Sequence, residues 1–140
     1  MVVADGAGIP LAVHIASASP AEVKLIEETL AQVKVPRLGG GAPRRKPQRI
    51  IADRAYDADW LRWRLKHRGI DLICPHRRGR RKAPLQDGRK LRRYRRRWII
   101  EHTMAWLQNF RRIVVRWERN PRMFLAFVHV ACLLITARQL

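Results

Sequence analysis

A chain of 140 residues, 47% of them hydrophobic, holds enough apolar material for one packed domain or part of a larger one, which excludes wholesale disorder. Thirty Lys and Arg against eleven Asp and Glu give a formal net charge of +19, an excess that repels itself in a compact fold unless a polyanion accompanies it. Most of these basic residues are arginine, whose planar guanidinium grips phosphate with two hydrogen bonds, so charge alone points to nucleic acid as the partner.

In chain order, residues 2–16 predict a hairpin. Val2-Val3-Ala4 is apolar, Asp5-Gly6-Ala7-Gly8 has turn chemistry, and Leu11 to Ile15 continues as a strand. Ser19-Pro20-Ala21-Glu22 has the pattern of a helix start, with Ser19 as N-cap and Pro20 in the first helical position. Val23, Ile26, Leu30 and Val33 keep helical spacing to about residue 34. Residues 36–48, with Pro36, Pro43, Pro47 and a run of glycines, predict a loop. Arg49-Ile50-Ile51-Ala52 then predicts a short strand running into Asp53. Asp57 is placed to cap a helix through Leu61, Leu65 and Lys66, Gly69 suits its C-terminal stop, and Ile70 to Cys74 predicts a strand ended by Pro75. A short helix between two apolar strands favours a parallel pair with a right-handed crossover.

Residues 76–97 hold twelve of the thirty basic residues and one acid, Asp87. Pro84 and Gly88 interrupt this run, so a mobile basic loop is expected over about 76–90. A long helix is expected over about 90–112, an extended piece from Ile113 to Trp117, and a final helix over about 121–138. The apolar stretch of that last helix, Met123 to Ala137, is about 15 residues, short of the ~20 a bilayer needs. With no signal-peptide pattern at Met1, the expectation is a cytoplasmic protein without a membrane partner. Cys74 and Cys132 lack the spacing of a disulfide or zinc site and read as small buried hydrophobes.

Two acids stand out. Asp53 follows an apolar strand, where ligands and catalytic groups gather in open α/β sheets, although from the residue alone a turn-forming Asp or a carboxylate paired with Arg54 is the stronger reading. Glu101 lies on the long helix. At about 100° per residue, Ile99, Ile100, Thr103, Met104, Trp106, Leu107 and Phe110 form an apolar arc. Tyr94, Arg97, Glu101, Gln108 and Arg112 fall on another stripe, where Arg97 and Glu101 also suit an ordinary i,i+4 ion pair. Together the two acids fit a metal-dependent phosphoryl-transfer site, which needs carboxylates on separate elements to hold Mg²⁺ or Mn²⁺. The arginines around them, Arg93 and Arg96 included, would position a nucleic-acid backbone.

Ala4-Asp5-Gly6-Ala7-Gly8-Ile9-Pro10-Leu11, Ile51-Ala52-Asp53-Arg54-Ala55-Tyr56-Asp57, Arg97-Trp98-Ile99-Ile100-Glu101 and Ala105-Trp106-Leu107-Gln108-Asn109-Phe110-Arg111-Arg112 together resemble the DDE-type bacterial insertion-sequence transposases. The resemblance covers essentially the whole chain and implies the C-terminal part of an RNase H-like catalytic domain over residues 1–140. It implies an α/β fold with its first strand missing and helices packed on a mixed sheet. By this resemblance Asp53 is the second catalytic acid and Glu101 the third, both Mg²⁺ ligands. Tyr94, Arg97 and Glu101 match the family's Tyr–Arg–Glu spacing. The family's basic residue seven after the Glu is Gln108 here, with Arg112 one turn on as its substitute. Asp5 matches a non-catalytic turn position, and the strand that bears the family's first Asp precedes the glycine-rich hairpin. The implied activity is cleavage and strand transfer of transposon DNA. The implied partners are transposon ends, target DNA, and a second copy or an upstream-encoded transposase segment. A truncated, inactive DNA-binding remnant and a basic RNA- or ribosome-associated protein are the alternatives.

The remaining ring residues take structural readings. His102 is read as exposed, His14 and His129 as core or boundary residues, and His67 and His76 as parts of basic surfaces. Helical spacing puts Trp106 and Trp98 in the core, while Trp117, flanked by Arg116 and Arg119, suits base stacking.

Overall fold

The computed structural model describes residues 1–139 and has an α/β architecture. Strands β1 (Val2–Ala4) and β2 (Pro10–Val13) pair antiparallel, with Val2 opposite Val13 and Val3 opposite Ala12. Asp5 makes the turn: its Oδ1 accepts from the N–H groups of Ala7 at 2.8 Å and Ile9 at 2.9 Å. Gly8 takes the left-handed φ of +89° that this tight return requires.

Helix α1 spans Glu22–Ala31 and starts later than the Ser19 pattern predicts. Ala21 is its N-cap, with ψ at 134°, and no side chain caps it; the extended backbone there postpones the first turn past Pro20. Strand β3 (Arg49–Ile51), helix α2 (Asp59–His67) and strand β4 (Asp71–Ile73) form the expected parallel pair, with Ile50 opposite Leu72. Gly69, at φ +71°, ends α2. Its N–H donates to Lys66 and the Ile70 N–H to Leu65, so two carbonyls of the last turn are satisfied. Asp57 does not cap α2; Ala58 occupies that position and Asp57 turns inward. Leu61, Leu65, Ile70, Leu72 and Cys74 pack with Ile26, Leu30, Val33 and Ala12 in the main core.

The C-terminal third departs most from expectation. The single helix over 90–112 is broken into four pieces: α3 (Gly88–Leu91), a 3-10 segment (Arg92–Arg97), α4 (Trp98–Gln108) and α5 (Arg111–Val114). Asp87 starts the first piece by accepting from the Lys90 N–H at 3.1 Å. Five arginines in the next six residues repel at α-helical spacing, which favours a departure from it. Phe110 is extended, with φ −93° and ψ 106°, and this turn packs its ring against the core formed by Leu107, Ala131 and Ile135. Ile113 and Val114 lie in α5 rather than in an extended piece, because their N–H groups donate back to the Phe110 carbonyl. Helix α6 spans Pro121–Ala137, with Asn120 accepting from the Arg122 N–H at 2.9 Å. Among the described residues no helix is long and apolar enough to cross a membrane.

The strand pairs remain two separate two-stranded sheets, one antiparallel and one parallel, instead of joining in one mixed sheet. α4 bridges to the hairpin. The buried Thr103 hydroxyl donates to the Gly8 carbonyl at 2.8 Å, and a Cβ on Gly8 would lie 3.2 Å from that hydroxyl.

Candidate active site

β3 delivers Asp53 to the point where its strand ends and a 3-10 turn, Arg54–Tyr56, begins. Asp53 Oδ1 accepts from the Ala55 N–H at 2.8 Å, which fixes the carboxylate. Its Oδ2 faces Arg97 Nη1 at 3.8 Å, and the same guanidinium donates through Nη2 to Glu101 Oε1. One arginine therefore spans both acids, and the i,i+4 pair exists alongside a contact from a different element. Asp53 and Glu101 remain 41% and 56% exposed, so solvent reaches both carboxylates.

Tyr94 is half-buried, with the Arg97 guanidinium 6.0 Å from its ring centre. Arg93 and Arg96 are exposed and line a cleft with Asp53 and Arg97; Arg96 Nη2 reaches the Gly6 carbonyl at 3.4 Å. Arg112 does not join them. The helix ends at Gln108, so Arg112 leaves the Glu101 stripe, binds Glu118 at 3.0 Å and lies over the Phe127 ring. The cleft has a volume of about 770 Å³ and lies between β1 and β3, with α1 and α4 closing it. At its mouth the Tyr56 hydroxyl donates to Glu22 at 3.1 Å. Burial and then the Glu22 charge raise the Tyr56 pKa, so this hydroxyl remains a donor.

Sequence reasoning missed a buried polar cluster next to the site. The Asp57 side chain is 2% exposed. Its Oδ1 accepts from Arg62 Nε at 3.0 Å and Nη2 at 2.9 Å, and its Oδ2 from the Arg77 N–H at 2.8 Å. His76 Nδ1 lies 3.0 Å from Oδ1, and its Nε2 accepts from the Leu85 N–H at 3.1 Å, which defines a neutral ring protonated on Nδ1. Burial pushes the Asp57 carboxyl up, but the bonds from Arg77, Arg62 and His76 outweigh it and hold its pKa below the usual carboxylate range. Gln86 donates to the Cys74 carbonyl, and Arg80 reaches Asp59 at 2.7 Å. The basic segment is a loop up to Asp87, as its composition predicts, and it contacts the βα unit through His76, Arg77, Arg80 and Gln86. The only sequence signal was Asp57 itself, which capping chemistry explained too readily. Cys74 is fully buried, and burial pushes its thiol up to about 11.

Two further expectations change. Trp98 is 59% exposed, because it opens α4 on the side away from the core, and His129 is exposed on α6. Trp117 is 76% exposed and stands among arginines.

Carboxylate oxygens are hard donors, so Asp53 and Glu101 fit a divalent cation as two of its ligands. Among the described residues no group of three or more His, Cys, Asp or Glu side chains comes together, so these two acids do not complete a two-ion site.

The Transposase DDE domain family matches residues 1–136, and the chain belongs to that family. Its relatives lie among insertion-sequence transposases. It is 34% identical over 134 residues to the Burkholderia cepacia protein named "Putative transposase for insertion sequence element IS402", across 96% of this chain and 60% of that protein. It is 38% identical over 93 residues to the corresponding protein for insertion sequence element IS6501 of Brucella ovis, across 64% of this chain and 67% of the relative. The chain thus spans 60% of the length of the Burkholderia relative. No solved structure matches it.

Proposed function

We propose that residues 1–140 are part of an RNase H-like transposase catalytic domain, supplying two metal-binding acids, Asp53 and Glu101, and an arginine surface for transposon DNA. The observation that carries this reading is Arg97 spanning both carboxylates, which brings a strand end and a helix face into one charged site. When bound, Mg²⁺ or Mn²⁺ supplies charge stabilisation for a phosphodiester under attack by water and then by a 3′-hydroxyl. The chain's own part is to hold the carboxylates and the DNA. Asp53 is fixed by the Ala55 N–H and Glu101 by α4. Arg97 neutralises both acids in the metal-free state and must swing away for a cation to bind, which leaves it free to meet a phosphate. Tyr94, Arg93 and Arg96 flank that position and take the DNA backbone. Such a protein works on bacterial nucleoid DNA.

The two-acid count favours a second reading for this chain taken alone, in which it binds DNA and a cation without cutting. Mn²⁺ titration followed by NMR line broadening tests the metal site directly. Broadening is expected at amides around Asp53 and Glu101, to be lost in Asp53→Asn and Glu101→Gln, and to appear at lower Mn²⁺ in Arg97→Gln. Broadening indifferent to all three substitutions would sink the assignment. A DNA-nicking assay on the same samples separates the two readings.

A further inference from the structure

We infer that the outer face of α2 is a second nucleic-acid surface, on which unpaired bases of single-stranded DNA stack on Trp60 and Trp63. This surface lies outside the Asp53–Glu101 site, goes beyond the reading above, and needs neither acid nor a cation.

Helical spacing puts Trp60, Trp63, Arg64 and His67 on one stripe of α2, turned away from the fully buried Leu61 and Leu65. Trp60 is 43% exposed and Trp63 is 62% exposed. Two large rings left in water on one short helix forgo apolar burial that a bound partner recovers. Each ring is backed by a neighbour. The Trp63 carbonyl can only accept, so His67 Nδ1, at 2.9 Å, carries the proton and donates to it. That bond holds the His67 ring 3.9 Å from the Trp63 ring, centre to centre. The Arg64 guanidinium lies 5.9 Å from the Trp60 ring centre. The rings are therefore supported from within the helix and still open outwards.

The charge around the stripe selects the occupant. At the start of α2, Asp59 is matched by Arg80 at 2.7 Å, which leaves Lys82, at 3.5 Å, in excess. Near its end, Glu27 is shared by Arg64 at 3.0 Å and Arg68 at 3.5 Å. Lys46 Nζ donates to the Arg68 carbonyl at 3.0 Å, a bond that leaves its charge uncompensated, and Lys66 is exposed. Phosphates answer this surplus, and a base offers a flat apolar face to each ring. A second copy would bring another +19 chain against the same cations, and an apolar protein surface would bury them unpaired. Duplex DNA satisfies the charge but keeps its bases stacked on one another, so the rings stay uncovered. α2 returns antiparallel to β3 in the crossover. Its stripe starts at the end of the unit where Asp53 lies and leads away from it for about 10 Å.

The test uses the whole chain in EDTA with three fluorescein-labelled probes of equal length: a dT single strand, a strand of abasic sites and a blunt duplex. Fluorescence anisotropy gives the affinity for each. Changing Trp60→Ala and Trp63→Ala together is expected to weaken dT binding by about fivefold or more. Affinity for the abasic strand and the duplex should stay within about twofold, because their phosphate contacts are kept. Phe at both positions keeps flat rings and should restore most of the dT affinity. Both side chains are exposed, so the substitutions leave the core intact. An unchanged dT affinity overturns the inference and turns the face over to a protein partner. An equal loss for all three probes overturns it too, because that is a charge or folding effect. With no metal present, failure here leaves the Mn²⁺ assignment of Asp53 and Glu101 standing, and the reverse also holds.

Discussion

Asp53 and Asp57 are separated by one 3-10 turn, yet their surroundings give them different work. Asp53 keeps one oxygen, Oδ2, towards solvent and the Arg97 guanidinium. Asp57 spends both oxygens on Arg62, His76 and the Arg77 N–H in a site that water barely reaches. Asp57→Asn removes the charge that balances a buried guanidinium and replaces an acceptor with a donor. The expected loss is about 3 kcal/mol, measured by urea unfolding at neutral pH. The sign of the pH effect follows from the depressed folded pKa of Asp57. Its contribution is fully present above the unfolded value of about 3.9 and disappears as pH falls through the lower folded value. Acid titration of stability should show this component in the natural chain and not in Asp57→Asn. Nothing in the sequence separated the two aspartates by burial, because the partners of Asp57 come from α2 and from a basic segment that composition describes only as charged.

The elements legible in the sequence were those specified by their own residues. Gly69 announced the end of α2, the hairpin turn carried Asp5 and Gly8, and β3 and β4 stood out as apolar runs beside a short helix. The breaks around α4 were not legible. Uniform arginine hides the 3-10 segment, and Phe110 leaves helical geometry for a packing partner on α6 that helical periodicity does not know about. The same holds for Trp98, whose spacing fits a core that the actual start of α4 turns away from. Docking of α4 on the hairpin is testable through Gly8→Ala. The new Cβ meets Thr103 and the Trp106 ring while the backbone holds a positive φ. A destabilisation of about 1–3 kcal/mol is expected, read as a lowered Tm. A neutral outcome would mean that α4 does not seat on the turn.

For the whole molecule, +19 of net charge predicts that the proposed DNA binding depends on salt. Fluorescence anisotropy with a short duplex should give log affinity falling steeply with log salt concentration. The combined Arg93→Ala and Arg96→Ala change should flatten that slope by about 1–2, without altering preference among sequences. A flat response in the natural chain would remove phosphate contacts from the account. The acids of the proposed site, Asp53 and Glu101, were legible as residues, but the cleft between the sheets was not, since it depends on which strands find neighbours.

The bond between Thr103 and Gly8 joins residues 95 positions apart in the chain. Local pieces such as β3, α2 and β4 can assemble early, whereas this contact has to close most of the polypeptide into a loop before it gains anything. Glu101 rides on the same helix. During synthesis on the ribosome Asp53 is therefore made well before Glu101, and the two can meet only once α4 has emerged.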